Sequence, residues 1–254
     1  MIKPSFLSKP SIEMSAFQLR SQLKEYYKSD IFLDFEDGID GEKLLEFLLH
    51  TDQITDFDYT YKEGLSEKFL GKFDFVNKVI YIYNGLKEKK GRENFTIAHE
   101  VGHLILHYPL YLTQCLDDED DPQLLPFSLT SSSELVDCTN NRHDSSLEWQ
   151  ANYFASCFLM PAERFKSAFF YCLKQFGIKN RGFGFLYVDK QKCNIDNFFR
   201  VTDSLMNRFK TSREATFVRL KQLELVDKNC IIPRSDFDNR SIERIIRSKY
   251  PEIF

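Results

Sequence analysis

The pattern His-Glu-x-x-His at residues 99–103 is the stretch of this sequence whose residue types and spacing specify a reaction. On a helix, His99 and His103 lie one turn apart on the same face, so both imidazoles can converge on one metal ion. Glu100 lies beside them and is free to act as a base on water held by the metal. The pattern therefore predicts a zinc hydrolase, although two histidines at this spacing can also border an ordinary core helix.

The apolar residues around this pattern predict the helix that carries it. They recur at helical spacing and would form one buried face: Ile97, Ala98, Val101, Leu104 and Ile105. Asn94 can cap the start of this helix, and Pro109 can end it. We therefore expect the two histidines to lie beside the buried face.

A third ligand is needed, because a catalytic zinc site has three protein ligands and one open position. A second apolar helix is predicted between Ser145 and Pro161, and Glu148 lies in its first turn. The Glu148 carboxylate could reach a zinc ion held by a neighbouring helix. Ser145 and Glu148 also have the spacing of a capping box, in which the carboxylate would only accept a backbone N–H. Position along the chain does not separate these two roles.

Two long motifs, in this order, resemble those of the ImmA/IrrE family of bacterial zinc metallopeptidases. The first runs from Phe95 to His107, and the second is Glu148-x-x-Ala-Asn-x-Phe-Ala-x-x-x-Leu-Met-Pro161. Together with the strand that precedes the first motif, the resemblance covers about residues 11–165.

The resemblance implies a zinc-dependent endopeptidase with Zn2+ as its cofactor. It implies the metal ligands His99, His103 and Glu148, with Glu100 as the catalytic acid and base. The implied partner is a protein substrate, a DNA-binding repressor or an antitoxin, in a bacterial regulatory or defence circuit. The alternative is a zinc-stabilised transcription regulator or adaptor with a vestigial peptidase site. Glu100 argues against this alternative, because an adaptor has no need of an acid that binds no metal.

Two polar neighbours of the ligands have two interpretations each. His107, one turn beyond His103, could contact substrate or stabilise an oxyanion, or it could form a hydrogen bond at the helix end. Asn152 could accept the second ring N–H of a zinc-binding imidazole, or it could serve packing or capping.

A hairpin is predicted immediately upstream of the site helix. Lys72–Val76 and Lys78–Tyr83 read as strands on either side of a tight turn at Asn77. The second strand leads towards the site, so Val79–Tyr83 is a candidate edge to which a peptide substrate could add as one more strand. An internal strand, paired on both sides, is the alternative.

The segment between the two motifs differs from them in composition. It contains five acidic residues at 117–121 and a run rich in Ser, Thr and Asn, and it predicts a long mobile loop over residues 109–147. The acidic run lacks the spaced ligands and the glycine of a calcium loop, so we interpret it as solvated charge.

The C-terminal part predicts a helix-turn-helix-like unit over residues 194–254, with its turn at Thr211–Ser212. It also resembles the segment that follows the peptidase domain in many members of the family. Its basic residues would suit DNA: Arg208, Lys210, Arg213, Arg219 and Lys221. Such units also serve as packing modules, and the net charge of −4 argues against nucleic acid as the main partner. DNA contact is a possible interpretation and not the favoured one.

The whole chain predicts an α+β fold, with a zincin-like metallopeptidase domain over residues 1–175 followed by the small helical unit. Its 254 residues are 43% hydrophobic, which is enough for a packed core. The sequence has no apolar leader and no run near the ~18 apolar residues of a membrane span, so we expect a cytoplasmic protein without a membrane partner. Six cysteines without paired spacing are expected to be free thiols.

Overall fold

Helices and a small three-stranded sheet make up the computed structural model, which describes residues 7–27, 38–51, 57–63, 70–117, 146–180, 185–189 and 191–226. The elements up to the sheet are α1 (Lys9–Tyr26), α2 (Gly41–His50), β1 (Asp58–Lys62), β2 (Gly71–Asp74) and β3 (Val79–Tyr83). A short 3-10 helix, Asn84–Leu86, leads to α3 (Lys90–Leu106), α4 (Tyr108–Asp117), α5 (Ser146–Leu159), α6 (Ala162–Gln175), α7 (Lys192–Phe209) and α8 (Arg213–Gln222). This arrangement confirms the predicted α+β class. None of the helices in these ranges is long and apolar enough to cross a membrane.

The predicted hairpin is formed by β2 and β3. The two strands are antiparallel, with Gly71 opposite Ile82 and Asp74 opposite Val79. In the turn, the Asp74 side chain accepts the backbone N–H groups of Val76 and Asn77 at 3.0 Å each. Lys78 has a φ of +55°, which returns the chain to the second strand.

The prediction that Val79–Tyr83 is an exposed sheet edge is wrong. The strand order is β1-β3-β2, so β3 is the central strand and is paired on both sides. Its second neighbour is β1, which runs parallel to it with Asp58 opposite Val79 and Lys62 opposite Tyr83. Ile80 and Ile82 are accordingly buried. Pairing with β1 is a contact across about twenty residues of sequence, which strand patterns do not predict.

The site helix begins earlier than Asn94, at Lys90, so the prediction that Asn94 caps it is wrong. Lys90 and Arg92 are exposed in the first turn of α3, whereas Glu93 is buried, pairs with Lys90 at 2.8 Å and suits the helix dipole. Asn94 is buried inside the helix. Its amide oxygen accepts the Gly41 N–H, and its amide nitrogen donates to the Lys210 carbonyl, each at 2.9 Å.

The predicted loop over residues 109–147 starts later than expected. Although α3 ends at Leu106, α4 follows at once, with Pro109 in its first turn, where a missing N–H costs nothing. The helix continues to Asp117, and α5 begins at Ser146. Residues 118–145, with most of the acidic run, lie outside the described residues.

Close packing of α3 on α5 brings the two motifs together. A Cβ atom on Gly102 of α3 would lie 3.2 Å from the Cα and carbonyl oxygen of Ala151 on α5. The predicted apolar face of α5 is fully buried: Ala151, Phe154, Ala155, Phe158 and Leu159.

The predicted C-terminal helices form α7 and α8, joined by a short turn. Ser212 caps α8 by accepting the Ala215 N–H at 3.2 Å. The turn packs on the start of α3, where a Cβ atom on Gly91 would lie 2.6 Å from the carbonyl carbon of Thr211. The buried residues of these helices and of the predicted peptidase domain belong to one hydrophobic cluster. Cys157, Cys172 and Cys193 are free thiols, as predicted for them.

Candidate metal centre

The three predicted ligands converge at the interface of α3 and α5. The Nε2 atoms of His99 and His103 are 3.1 Å apart. From α5, the Glu148 carboxylate places Oε2 3.2 Å from Nε2 of His99 and Oε1 3.3 Å from Nε2 of His103. The carboxylate thus faces the two imidazoles, as a ligand would. Ser145, its partner in the alternative capping box, lies outside the described residues.

These distances fit the donor set of a small tetrahedral ion. Ligand atoms about 2.0 to 2.1 Å from a tetrahedral zinc are separated from one another by about 3.3 Å. In this cluster the two Nε2 atoms are 3.1 Å apart, and each of them lies 3.2 or 3.3 Å from a different oxygen of Glu148. Two imidazoles and one carboxylate would leave one coordination position open, which is the arrangement of catalytic rather than structural zinc sites.

Each imidazole is oriented through its other nitrogen. Nδ1–H of His99 donates to Oδ1 of Asn152 at 3.0 Å, because an amide oxygen can only accept. Nε2 of His99 therefore presents a lone pair to the cluster. Nδ1 of His103 lies 3.0 Å from Nδ1 of His107. Of the two interpretations of Asn152, the structure matches the one in which it orients an imidazole.

His107 is fully buried behind His103, so it does not reach a substrate. Burial, with the nearby charge of His103 as a smaller cause, lowers the pKa of His107 to about 3. Neutral His107 can accept a proton from Nδ1 of His103 in a hydrogen bond, and Nε2 of His103 then also presents a lone pair to the cluster. The predicted oxyanion role of His107 is therefore not supported. His107 lies at the end of α3 and forms a hydrogen bond there, as the alternative interpretation predicted.

The carboxylate of Glu148 is suited to remain ionised. Burial by itself would raise its pKa, but in the metal-free site the hydrogen bonds with His103 and His99, in which Nε2 carries the proton, outweigh this and hold the pKa of Glu148 well below its usual range. A metal would take the place of the Nε2 protons, because it requires an ionised carboxylate and an imidazole lone pair from each histidine.

Glu100 has a different environment from Glu148. It is fully buried, and apart from a backbone hydrogen bond with Phe73 on β2 its carboxylate has no hydrogen-bond partner among the described residues. Burial raises the pKa of Glu100, and the charges of His99 and His103 oppose that rise. A fully buried carboxylate with a single backbone hydrogen bond is costly, so its presence beside the ligands indicates a task in the chemistry.

Gly71 at the start of β2 was missed by sequence reasoning. A Cβ atom at this position would lie 2.9 Å from Oε1 of Glu100 and 2.7 Å from Cγ2 of Thr96. Only glycine therefore allows the strand to lie against the Glu100 side chain. Glycine inside a strand often marks such a close approach, so a signal was present in the sequence.

A small cavity of about 20 Å³ adjoins His99, with room for about one water molecule. Its wall contains the residue before β2 and residues from α3, α5 and the turn before α8: Leu70, Arg92, Phe95, Thr96, Asn152 and Ser212. The C-terminal unit thus contributes to the wall of the candidate site.

Comparison with known protein families identifies the family to which this chain belongs. The sequence matches the IrrE N-terminal-like domain, Peptidase_M78, over residues 42–173, which is more than half of the chain and includes both motifs. The chain belongs to the ImmA/IrrE family. The ImmA/IrrE domain has a zincin-like fold and is generally metal-dependent, and the cluster of His99, His103 and Glu148 could hold the metal.

Beyond this ImmA/IrrE match, the chain is similar to a solved structure described as a Mycobacterium tuberculosis transcriptional regulator. The similarity covers 83% of this chain and 51% of that one, at 17% identity and a TM-score of 0.42. This chain therefore spans about half the length of that protein. No curated protein matches the sequence.

Proposed function

We propose that this protein is a zinc-dependent metallo-endopeptidase that cleaves a protein partner, a DNA-binding repressor or an antitoxin-like regulator. The observation that carries the proposal is the convergence of two imidazoles and one carboxylate, with the two Nε2 atoms 3.1 Å apart and each 3.2 or 3.3 Å from a Glu148 oxygen, beside the buried Glu100 that is not part of this cluster. Membership of a metallopeptidase family supports it.

The residues of the candidate site have two kinds of role, metal binding and orientation of the ligands. His99, His103 and Glu148 would hold the ion, and Asn152 and His107 would keep the two imidazoles in place. The chemistry that a bound zinc ion supplies is Lewis acidity, which polarises a substrate carbonyl and acidifies water.

Proton transfer is the task of Glu100. It would take the proton from the attacking water and return it to the leaving amine of the cleaved peptide. Burial raises the pKa of Glu100 above its ordinary value. A raised pKa suits a group that must both accept and donate a proton near neutral pH.

The alternative is a zinc-stabilised transcription regulator or adaptor with a vestigial peptidase site. It assigns no task to Glu100, whose carboxylate is fully buried with only a backbone hydrogen bond, to Phe73, among the described residues. An adaptor would be more stable with an apolar or amide side chain at this position, because a buried carboxylate is costly.

The experiment that separates the two is the substitution Glu100→Gln. The protein would be co-expressed with the regulator encoded next to its gene, and the cleavage products would be followed by mass spectrometry. Glutamine keeps the size of the side chain and removes the base, so we expect cleavage to slow by about 10² to 10⁴-fold with zinc content unchanged. Glu88→Gln, at an exposed position before α3, is the matched control and should cleave like the wild type.

Equal cleavage by the wild type and Glu100→Gln would show that Glu100 is not the base. If the wild type and Glu100→Gln both bind the regulator and leave it intact, the adaptor hypothesis is correct.

A further inference from the structure

Gln150 on α5 is a buried polar side chain close to the metal centre that has so far been given no task. It is fully buried and lies two residues beyond the ligand Glu148. Apart from a hydrogen bond with the ring of His107, its amide has no hydrogen-bond partner among the described residues. A buried amide is costly unless its hydrogen bonds serve a purpose, so the place of Gln150 beside His107 indicates a role there.

The contact between His103 and His107 depends on the position of one proton. Their Nδ1 atoms are 3.0 Å apart, so one of the two nitrogens must donate and the other must accept. A neutral imidazole with a lone pair on Nε2 carries its proton on Nδ1. Binding of a metal at Nε2 of His103 therefore requires that His103 donates from Nδ1 and that His107 accepts.

This arrangement also fixes the proton of His107. A neutral His107 that accepts at Nδ1 carries its own proton on Nε2. Nε2 of His107 is buried, and Gln150 is the hydrogen-bond partner that the described residues offer to the ring apart from His103. Burial lowers the pKa of His107, and the hydrogen bond with Gln150 acts in the opposite direction, which is the effect of an acceptor.

We propose that Gln150 is a positioning residue of the metal centre, which acts on the ligand His103 through His107. The amide oxygen of Gln150 accepts Nε2–H of His107, and Nδ1 of His107 accepts Nδ1–H of His103. Nε2 of His103 is thereby left with a lone pair for the metal. This inference rests on the proposed function, because it requires that His103 is a metal ligand.

A neutral amide suits this role better than a carboxylate would. A carboxylate beside His107 would favour a second proton on its ring, and Nδ1 of His107 would then donate to His103 instead of accepting. With Asn152 bonded to His99, α5 provides the third ligand and also orients both imidazoles of α3.

The zinc affinity of the variant Gln150→Leu tests this role. Leucine fills a similar volume and has no polar atom, so it removes the acceptor for His107. We expect the zinc affinity of the full chain to fall by about tenfold, measured by competition with a chromogenic chelator. Gln175→Leu, the same change at the exposed end of α6, is the matched control and should bind zinc like the wild type.

A double-mutant cycle with His107→Leu separates positioning from general packing. If Gln150 acts through His107, Gln150→Leu should lower the zinc affinity of the wild type but cause no further loss in the His107→Leu background. Damage to the packing would lower the affinity by the same factor in both backgrounds. Circular dichroism and the Tm verify that each variant is folded.

Nitrogen NMR of the zinc-loaded wild type gives a second measurement, which does not depend on the folding of the Gln150 variant. It distinguishes a protonated ring nitrogen from an unprotonated one, and the signals that are missing from His107→Leu identify those of His107. We expect the proton of His107 on Nε2.

Three results would overturn the role of Gln150 and leave the proposed function intact, provided that the wild type binds zinc. They are a proton on Nδ1 of His107, full zinc affinity in folded Gln150→Leu, and an equal loss of affinity in both backgrounds of the cycle. Absence of zinc binding by the wild type would instead refute the metal centre itself, and the role of Gln150 with it.

Discussion

At the scale of single residues, the candidate site depends on how each imidazole is held. His99 is fixed by Asn152 and His103 by His107, each at 3.0 Å. These contacts select which ring nitrogen faces the ligand cluster, and so they prepare the donor set before a metal arrives.

The assignment of the ligands predicts the metal content of two variants. Purified wild type should contain about one zinc per chain, and His99→Ala or Glu148→Ala should lose it, because two remaining ligands do not form a stable catalytic site. Elemental analysis by mass spectrometry measures this, with Glu88→Gln as the control. Full zinc occupancy in Glu148→Ala would leave Glu148 with only a capping role.

The role of Asn152 predicts a difference between two substitutions of similar size. Asn152→Leu removes the acceptor for Nδ1–H of His99, and we expect zinc affinity to fall by about 10 to 100-fold. Asn152→Asp keeps an acceptor and should retain the affinity. Competition with a chromogenic chelator measures both. Equal affinity in the two variants would show that Asn152 only fills space.

At the scale of elements, the site is formed where β2 and α5 pack on opposite parts of α3. Gly102 lets α5 approach closely, and Gly71 lets β2 lie against Glu100. The two glycines thus allow α5 and β2 to lie close to α3.

Gly71→Ala should disturb this arrangement, because the added methyl group would lie 2.9 Å from Oε1 of Glu100. We expect a loss of about 1 to 3 kcal/mol in the free energy of unfolding, as is typical of overpacking, and slower cleavage with zinc retained. Urea denaturation and the cleavage assay measure these effects. Lys72→Ala, at the next position of the strand, is the control, and equal behaviour of the two variants would contradict the close approach.

At the scale of the whole molecule, the C-terminal helices are part of the same packed body as the metal centre. Arg219 binds the end of α5, and the turn before α8 packs on Gly91 of α3. Phe217, Arg219 and Leu220 are buried, so one face of α8 packs against the body of the protein. Arg213, another of the basic residues, pairs with Asp203.

Asn94 joins the two parts, and its removal should destabilise the whole molecule. Asn94→Ala would leave the Gly41 N–H and the Lys210 carbonyl without their partner, at a cost of about 1 to 3 kcal/mol. Urea denaturation should show one transition at a lower midpoint. Asn207→Ala, on the exposed side of α7, is the control and should change the midpoint little. Two separate transitions would contradict a shared core.

Local patterns in the sequence determined the α3 and α5 helices, the β2–β3 hairpin and the two C-terminal helices. They also determined the candidate set His99, Glu100 and His103, because spacing along a helix decides which side chains share a face. Resemblance to the family, rather than spacing, supplied Glu148 as the third ligand. The start of α3 was misplaced because its charged first turn is compatible with either a helix or a connector.

Only the tertiary structure decided the contacts between residues that are distant in sequence. These are the pairing of β1 with β3, the closeness of Gly71 to Glu100, and the burial of Asn94 and Arg219. The physical reason is that a polar or apolar residue pattern specifies which face of an element is buried but not which element covers it. The partner is selected by the packing of the complete chain.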